Sequence, residues 1–410
     1  MAMRSGEQIA EEVLMLKIKY LGLIVSSLIS FQAYANAQPS PFQWETEDGL
    51  KQLKLGGFVR TNYRDERWES PNNGKFLFDN ARLNIKGKYD QFYLDVSYAF
   101  QSDHKRSVEH GFVGYKPDDN NDFQAGIIYK PFGIYPFPEH AWTFPIPFFL
   151  GFADSVAPGL SWKNTSPTHD FTVAYMPIMS PGNIRYSPES GSADKLDNVL
   201  PHQQQYLNEK RNQLNLRYAH KMDLEFGKQE FGVSGAYSQL RNKATDKNGD
   251  YYAFGVHGLK KKKKWNVQTS AIRYKYDAKN PEGLNNDQIL MQANGITPAY
   301  FVAAEGTIGS FNIGYTQPVQ TKYFPNLKTV KFYNDYSVLW KDKAGWDRSQ
   351  MDTFGVQFNA MPFLIWVDGS VGKNVNVLGG AKNATGYTST NSDYSNDWKF
   401  RWNINVGYNF

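Results

Sequence analysis

The chain ends on an alternation. Trp398, Phe400, Trp402, Ile404, Val406, Tyr408 and Phe410 take every second position, with Lys399, Arg401, Asn403, Asn405, Gly407 and Asn409 between them. Successive side chains of a strand point to opposite faces, so this segment has one apolar and one polar face. Rings stand at both ends of the apolar face, with aliphatic residues between. That is the girdle pattern of a strand that crosses lipid. The inner face of a soluble sandwich alternates too, but it rarely opens and closes on rings.

The same period runs through the chain. Leu53, Leu55, Gly57, Val59, Thr61 and Tyr63 alternate with Lys54, Gly56, Phe58, Arg60 and Asn62. Leu77, Ala81, Leu83 and Ile85 oppose Asn80, Arg82, Asn84 and Lys86. Phe92 to Phe100, Val330 to Trp340 and Phe354 to Phe358 repeat the theme. For Ser107–Lys116 and Trp265–Tyr276 the pattern does not say which face is apolar. A mean hydropathy of −0.57 beside 16% aromatic residues fits such a chain, because alternation averages apolar faces away. A bundle of membrane helices is excluded, since each needs about 20 consecutive apolar residues. Disordered chains are poor in aromatics. With no cysteine there is no disulfide framework.

Short and long connections alternate. Short ones fall at 89–91, 117–121, 164–168, 222–228, 260–264, 319–327 and 361–362. Long ones fall at 64–75, 102–106, 131–156, 177–210, 242–249, 277–308, 342–350 and 374–397. They delimit about sixteen strands of roughly 10 residues, the length of a tilted membrane strand. The count becomes about eighteen if Asp287–Gln292 and Ala299–Gly306 each cross. Only a closed barrel satisfies strand backbones in lipid. The expected fold is therefore an all-β transmembrane antiparallel barrel over 38–410. About sixteen strands leave an aqueous lumen, whereas about eight are filled by side chains.

The N-terminus reads as an address. Lys17 and Lys19 precede an apolar stretch over 20–34 that ends in Ala33-Tyr34-Ala35 and Ala35-Asn36-Ala37, the layout of a cleaved secretory signal. Residues 1–37 are thus expected to be an N-terminal extension plus signal, with Met15 a plausible true start. Export with this barrel pattern places the chain in a bacterial outer membrane. Its partners there are outer-membrane lipid and lipopolysaccharide. The charge of +5 is too small and too dispersed for a nucleic-acid footprint. Lys260–Lys264 reads as a solvated turn, because alternation flanks it on both sides.

Chemistry of the catalytic kind needs a constellation. His110 and His257 fall in strands without a nucleophile signature. Glu109 beside His110 belongs, by strict alternation, to the opposite face. Seven histidines without cysteine show no metal spacing, and no cofactor is expected.

Gly126-Ile127-Ile128-Tyr129-Lys130-Pro131-Phe132-Gly133 closes a strand and opens the longest aromatic loop. This Lys-Pro-Phe-Gly element resembles one in the phosphate-selective porin O/P family of outer-membrane channels. The Arg82- and Lys86-bearing second strand and the terminal Phe410 agree with the resemblance. It implies sixteen strands, a homotrimer, an inward-folded third loop and passive uptake of small anions. It also implies that the assembly machinery reads Phe410. The chain departs from the family's lysine cluster, because 131–156 holds no Lys or Arg and carries Glu139, His140 and Asp154 instead.

Candidate pore-lining residues are Arg60, Arg82, Lys86, Lys130, Glu139, His140, Trp142, Arg217, Asp335 and Arg401. Basic side chains in a lumen lower the cost of bringing an anion between low-dielectric walls. Tyr135, Phe137, Trp142, Phe144, Phe148 and Phe149 either stack on solutes or pack the loop to the wall. The expected function is passive diffusion of small hydrophilic solutes with an anion preference, filtered by the third loop. The alternatives are a sugar- or aromatic-acid-specific channel, and a non-channel barrel acting as an adhesin, a structural protein or an enzyme.

Overall fold

The computed structural model describes residues 42–67, 74–101, 106–178, 187–188, 206–293, 297–375, 377–378 and 397–410. The expected signal over 1–37, and parts of the long connections near 70, 104, 190 and 385, lie outside the described residues.

The strands are β1 (Phe42–Glu45), β2 (Lys51–Glu66), β3 (Gly74–Tyr89), β4 (Phe92–Gln101), β5 (Arg106–Tyr115), β6 (Asn121–Tyr129) and β7 (Val156–Thr165). Next come β8 (His169–Ile178), β9 (Asn208–Leu224), β10 (Gly227–Asn242), β11 (Lys247–Lys262), β12 (Trp265–Asp277), β13 (Gln288–Ala293) and β14 (Thr297–Ala303). The last are β15 (Glu305–Pro318), β16 (Thr329–Lys341), β17 (Ser349–Ala360), β18 (Phe363–Lys373) and β19 (Lys399–Asn409). Apart from β13 and β14, each strand from β2 on pairs antiparallel with the next, and β19 pairs back onto β2. The main sheet has 17 strands, of which β1 is an appendage on β2, so the closed ring has sixteen. Closure satisfies every ladder that an open sheet would leave bare in lipid.

The two ends of the ring differ as the sequence predicts. Strands meet in tight turns at 90–91, 225–226, 263–264 and 361–362, and in longer connections at the other end. The Ala299–Gly306 ambiguity resolves to sixteen. β13 and β14 form a separate two-stranded hairpin in the connection between β12 and β15.

Burial separates the faces. On β19, Arg401, Asn403 and Asn405 are buried, while Trp402, Ile404 and Tyr408, and Phe410 just beyond the strand, are exposed. The buried face is the inner face of the ring. The exposed outer face carries rings near the short turns, in contact from strand to strand. Phe92 meets Tyr115 at 4.8 Å, Phe123 meets Trp162 at 6.4 Å, and Trp162 meets Phe171 at 5.8 Å. Trp265–Tyr315 and Phe363–Tyr408 continue the belt. Amphipathic rings favour this level of a bilayer, so the belt fixes the depth of the barrel.

Two departures from strict alternation have one cause. In β3 the outward residues before Asp79 are Phe76 and Phe78, not Leu77. The β2–β3 register shifts by one residue at Arg60/Thr61, and the bulge changes parity. A second shift, at Ser97/Tyr98 between β4 and β5, buries Glu109 and His110 together on the inner face. The expectation of opposite faces for that pair is therefore wrong. β12 was ambiguous because its inner face is itself apolar. Ile272, Tyr274 and Tyr276 join a buried cluster with Ile146, Phe148 and Phe149.

Candidate functional site

Residues 131–155 join β6 to β7 and contain one helical turn, α1 (Ile146–Phe149). The segment has five prolines and few charges, so few of its own backbone groups pair with one another. Inner-face side chains from other strands take up the remainder. Asn215 of β9 donates Nδ2–H to the Pro131 carbonyl at 3.3 Å, and Arg217 donates Nε–H to the Gly133 carbonyl at 2.6 Å. Ser234 of β10 accepts the Gly133 N–H at 2.9 Å. Asn312 of β15 donates to the Pro138 carbonyl at 2.5 Å.

The densest anchor is Asp335 of β16. Its carboxylate accepts the backbone N–H of His140 at 2.6 Å and of Ala141 at 2.7 Å, and lies 2.8 Å from His140 Nδ1. One turn on, Asp368 of β18 accepts the Thr143 N–H at 2.9 Å, and Ser337 accepts the Ile146 N–H at 3.0 Å. Arg401 of β19 donates to Thr143 Oγ1 at 3.2 Å and to the Val377 carbonyl at 3.2 Å. The Arg60 guanidinium sits among three rings, 4.0 Å from Phe58, 4.5 Å from Trp142 and 5.0 Å from Trp366. Such stacking contributes cation–π attraction to the seat of the guanidinium.

The β13–β14 hairpin braces the same segment. Ile289, Met291, Tyr300 and Val302 share the apolar cluster of α1, and the Tyr300 hydroxyl donates to the Phe149 carbonyl. The other face of the hairpin packs Leu290 and Phe301 on Tyr206.

Several expected pore-lining residues thus meet at this segment: Arg60, His140, Trp142, Arg217, Asp335 and Arg401. His140 is 8% exposed and Asp335 is fully buried, so both face each other rather than open space. Lys130 is also buried, and its backbone N–H bonds Ser155 at 2.8 Å. Arg82 and Lys86 lie on a different wall. Arg82 Nη2 is 2.9 Å from Glu109 Oε2, and Lys86 Nζ is 3.2 Å from Asp95 Oδ2. The sequence reading did not single out Glu230, Ser234, Asn312 or Ser337. Each is a polar residue on the inner parity of its strand, a signal usable once the outer face is known. Glu230 pairs with Arg217 and lies 3.0 Å from His257 Nε2.

Two carboxyls of the segment titrate unusually. Burial raises Glu139 well above the ordinary carboxylate range, and the nearby Asp335 and Asp154 add to the effect. Burial pushes Asp154 up to about 8, with Arg82 pulling against it. A carboxyl raised in the folded state favours the packed segment below its unfolded value and loses that contribution as pH climbs through the raised value. Attachment of 131–155 is therefore expected to weaken between about pH 4 and pH 8. Proteolysis or hydrogen exchange of the segment across that range checks this. Asp154→Asn should flatten the dependence, and an unchanged profile in that variant would reject it.

No protein-family model and no curated protein sequence matches the chain. Solved structures do resemble it. The outer membrane channel DcaP of Acinetobacter baumannii superposes with a TM-score of 0.60 at 12% identity, covering 90% of this chain and 99% of that one. OmpF of Salmonella typhi, in complex with daunomycin, gives 0.56 at 14% identity, covering 90% and 100%. An anion-selective porin from Comamonas acidovorans gives 0.55 at 10% identity, covering 88% and 100%. At these identities the likeness establishes a shared barrel fold.

Proposed function

We propose that the protein is an outer-membrane channel for passive diffusion of small hydrophilic solutes, with an anion preference. The closed sixteen-strand ring, apolar outside and polar inside, carries this reading. A ring of that size encloses more space than its side chains fill. The segment 131–155, bonded to inner-face side chains of β9, β10, β15, β16, β18 and β19, is the inward third loop that narrows the path. The Lys130-Pro131-Phe132-Gly133 element favours the phosphate-selective porin O/P-like group and, with it, a homotrimer. Absence of Lys and Arg from the loop argues against phosphate as the particular solute.

Anion preference rests on the half of the inner face nearest the short turns. Lys54, Lys86, Lys163, Lys221, Lys261 and Lys331 face inward there, and outnumber the acidic Asp95, Asp122, Asp170 and Glu230. Low-dielectric walls focus the field of such an excess into the lumen. Reversal potentials across planar bilayers under a KCl gradient are the test. Chloride is expected to carry the larger share of current. A cation-preferring pore would overturn the anion assignment, and a barrel without conductance would overturn the channel.

A further inference from the structure

The two-for-one register shift in β5 disrupts a ladder whose bonds are worth most in lipid. Strict alternation offers a simpler arrangement, with an apolar residue outward before His110. The chain instead places Glu109 there and bulges the strand, so that both residues turn inward. Without the bulge one of the two would sit on the lipid face, a costly position for a charge. Once inside, Glu109 is oriented. Its Oε2 is 2.9 Å from Arg82 Nη2, and its Oε1 accepts the Ser107 hydroxyl at 2.6 Å. One step toward the short turns, Asp95 repeats the arrangement with Lys86 at 3.2 Å and His110 at 2.9 Å, and the Tyr129 hydroxyl is 3.0 Å from His110 Nδ1. Arg82 and Lys86 of β3 thus each have a carboxylate supplied by the next strand or the one beyond it. The Glu109 carboxylate reaches Arg82 by way of the bulge.

We propose that Glu109 is a specificity-determining residue of the channel. As the counter-charge to Arg82, it holds the anion preference of the β3–β5 wall below what the basic residues alone would set. This rests on the channel reading above. A carboxylate within hydrogen-bond reach of a guanidinium cancels most of its field a few ångströms away, so a passing anion meets a dipole instead of a cation. Removing the negative charge while keeping the side chain's shape leaves the Arg82 charge with one counter-charge fewer, and the wall more positive.

Reversal potentials of the parental protein, Glu109→Gln, Arg82→Gln and the double variant in planar bilayers test it. Glutamine still accepts the Ser107 hydroxyl. Glu109→Gln is expected to raise the anion-to-cation permeability ratio by roughly three-fold, and Arg82→Gln to lower it. The double variant should return near the parental ratio, because both charges leave together. Glu109 can also be read from Arg82→Gln against the double variant, which differ only in that charge, should the single Glu109 variant fail to insert. Parental protein without conductance sinks the channel reading itself. A conducting pore whose ratio ignores Glu109 on both backgrounds overturns this inference and leaves the channel standing.

Discussion

Deleting Phe410 is expected to cut the folded barrel in outer-membrane fractions about ten-fold or more, from the backbone bonds it forfeits. Phe410 and Gly57 exchange two backbone bonds, at 2.9 and 3.0 Å, across the seam between the last strand and β2. The seam is tight. A Cβ at Gly57 would lie 2.1 Å from the Arg82 carbonyl oxygen and 2.8 Å from the Phe410 ring. Loss of the residue leaves two groups unpaired where the bilayer offers no substitute, each worth about a few kcal/mol. It also removes the terminal ring expected to be read during assembly. Phe410→Tyr keeps ring and backbone and should assemble near the parental level. Heat-modifiable gel migration of membrane fractions is the readout. A truncated chain assembling normally would show that neither the seam nor the terminal ring matters.

Asp335→Ala is expected to free the loop while leaving the barrel intact. The carboxylate is fully buried and takes two backbone N–H groups and one imidazole nitrogen from the loop. Removing a buried charged acceptor with several partners costs about 3–5 kcal/mol, since the donors remain behind unpaired. That is a large share of what holds residues 138–146, and far less than the ring's own ladders supply. Single-channel conductance should rise about two-fold with added flicker, as gating by a loosened loop predicts. Asp335→Asn, which keeps one acceptor oxygen, should fall between the two. Parental conductance in the alanine variant would mean that the loop is held elsewhere or does not narrow the path.

The architecture was legible because lipid imposes a rule that leaves its mark on every second residue. β2, β4, β16, β17 and β19 alternate cleanly. The alternation of short and long connections points to sixteen strands by itself. Legibility failed where the inner face was not polar or the period broke. β12 hides its orientation because Ile272, Tyr274 and Tyr276 pack against α1 and not against water. β3 and β5 each insert one residue, and a bulge leaves no mark in composition. The candidate site was half legible. Asp335, His140, Trp142 and Arg60 were legible as candidates, but the pairing of Asp335 with His140 and of Arg60 with Trp142 spans stretches of the chain that spacing does not reveal. Glu109 was misplaced for the same reason as β5.

The β13–β14 hairpin has an implication for how this surface can change. Bacterial outer-membrane barrels turn their longer loops to the cell's surroundings, where phages and antibodies select for altered loops. This hairpin is not free to drift with the others. Ile289, Met291, Tyr300 and Val302 belong to the cluster that seats α1, and Leu290 and Phe301 are occupied by Tyr206 on the reverse side. A substitution that escapes recognition at those positions would alter permeability as well. Diversity among natural variants should therefore avoid these six positions and gather in other long connections.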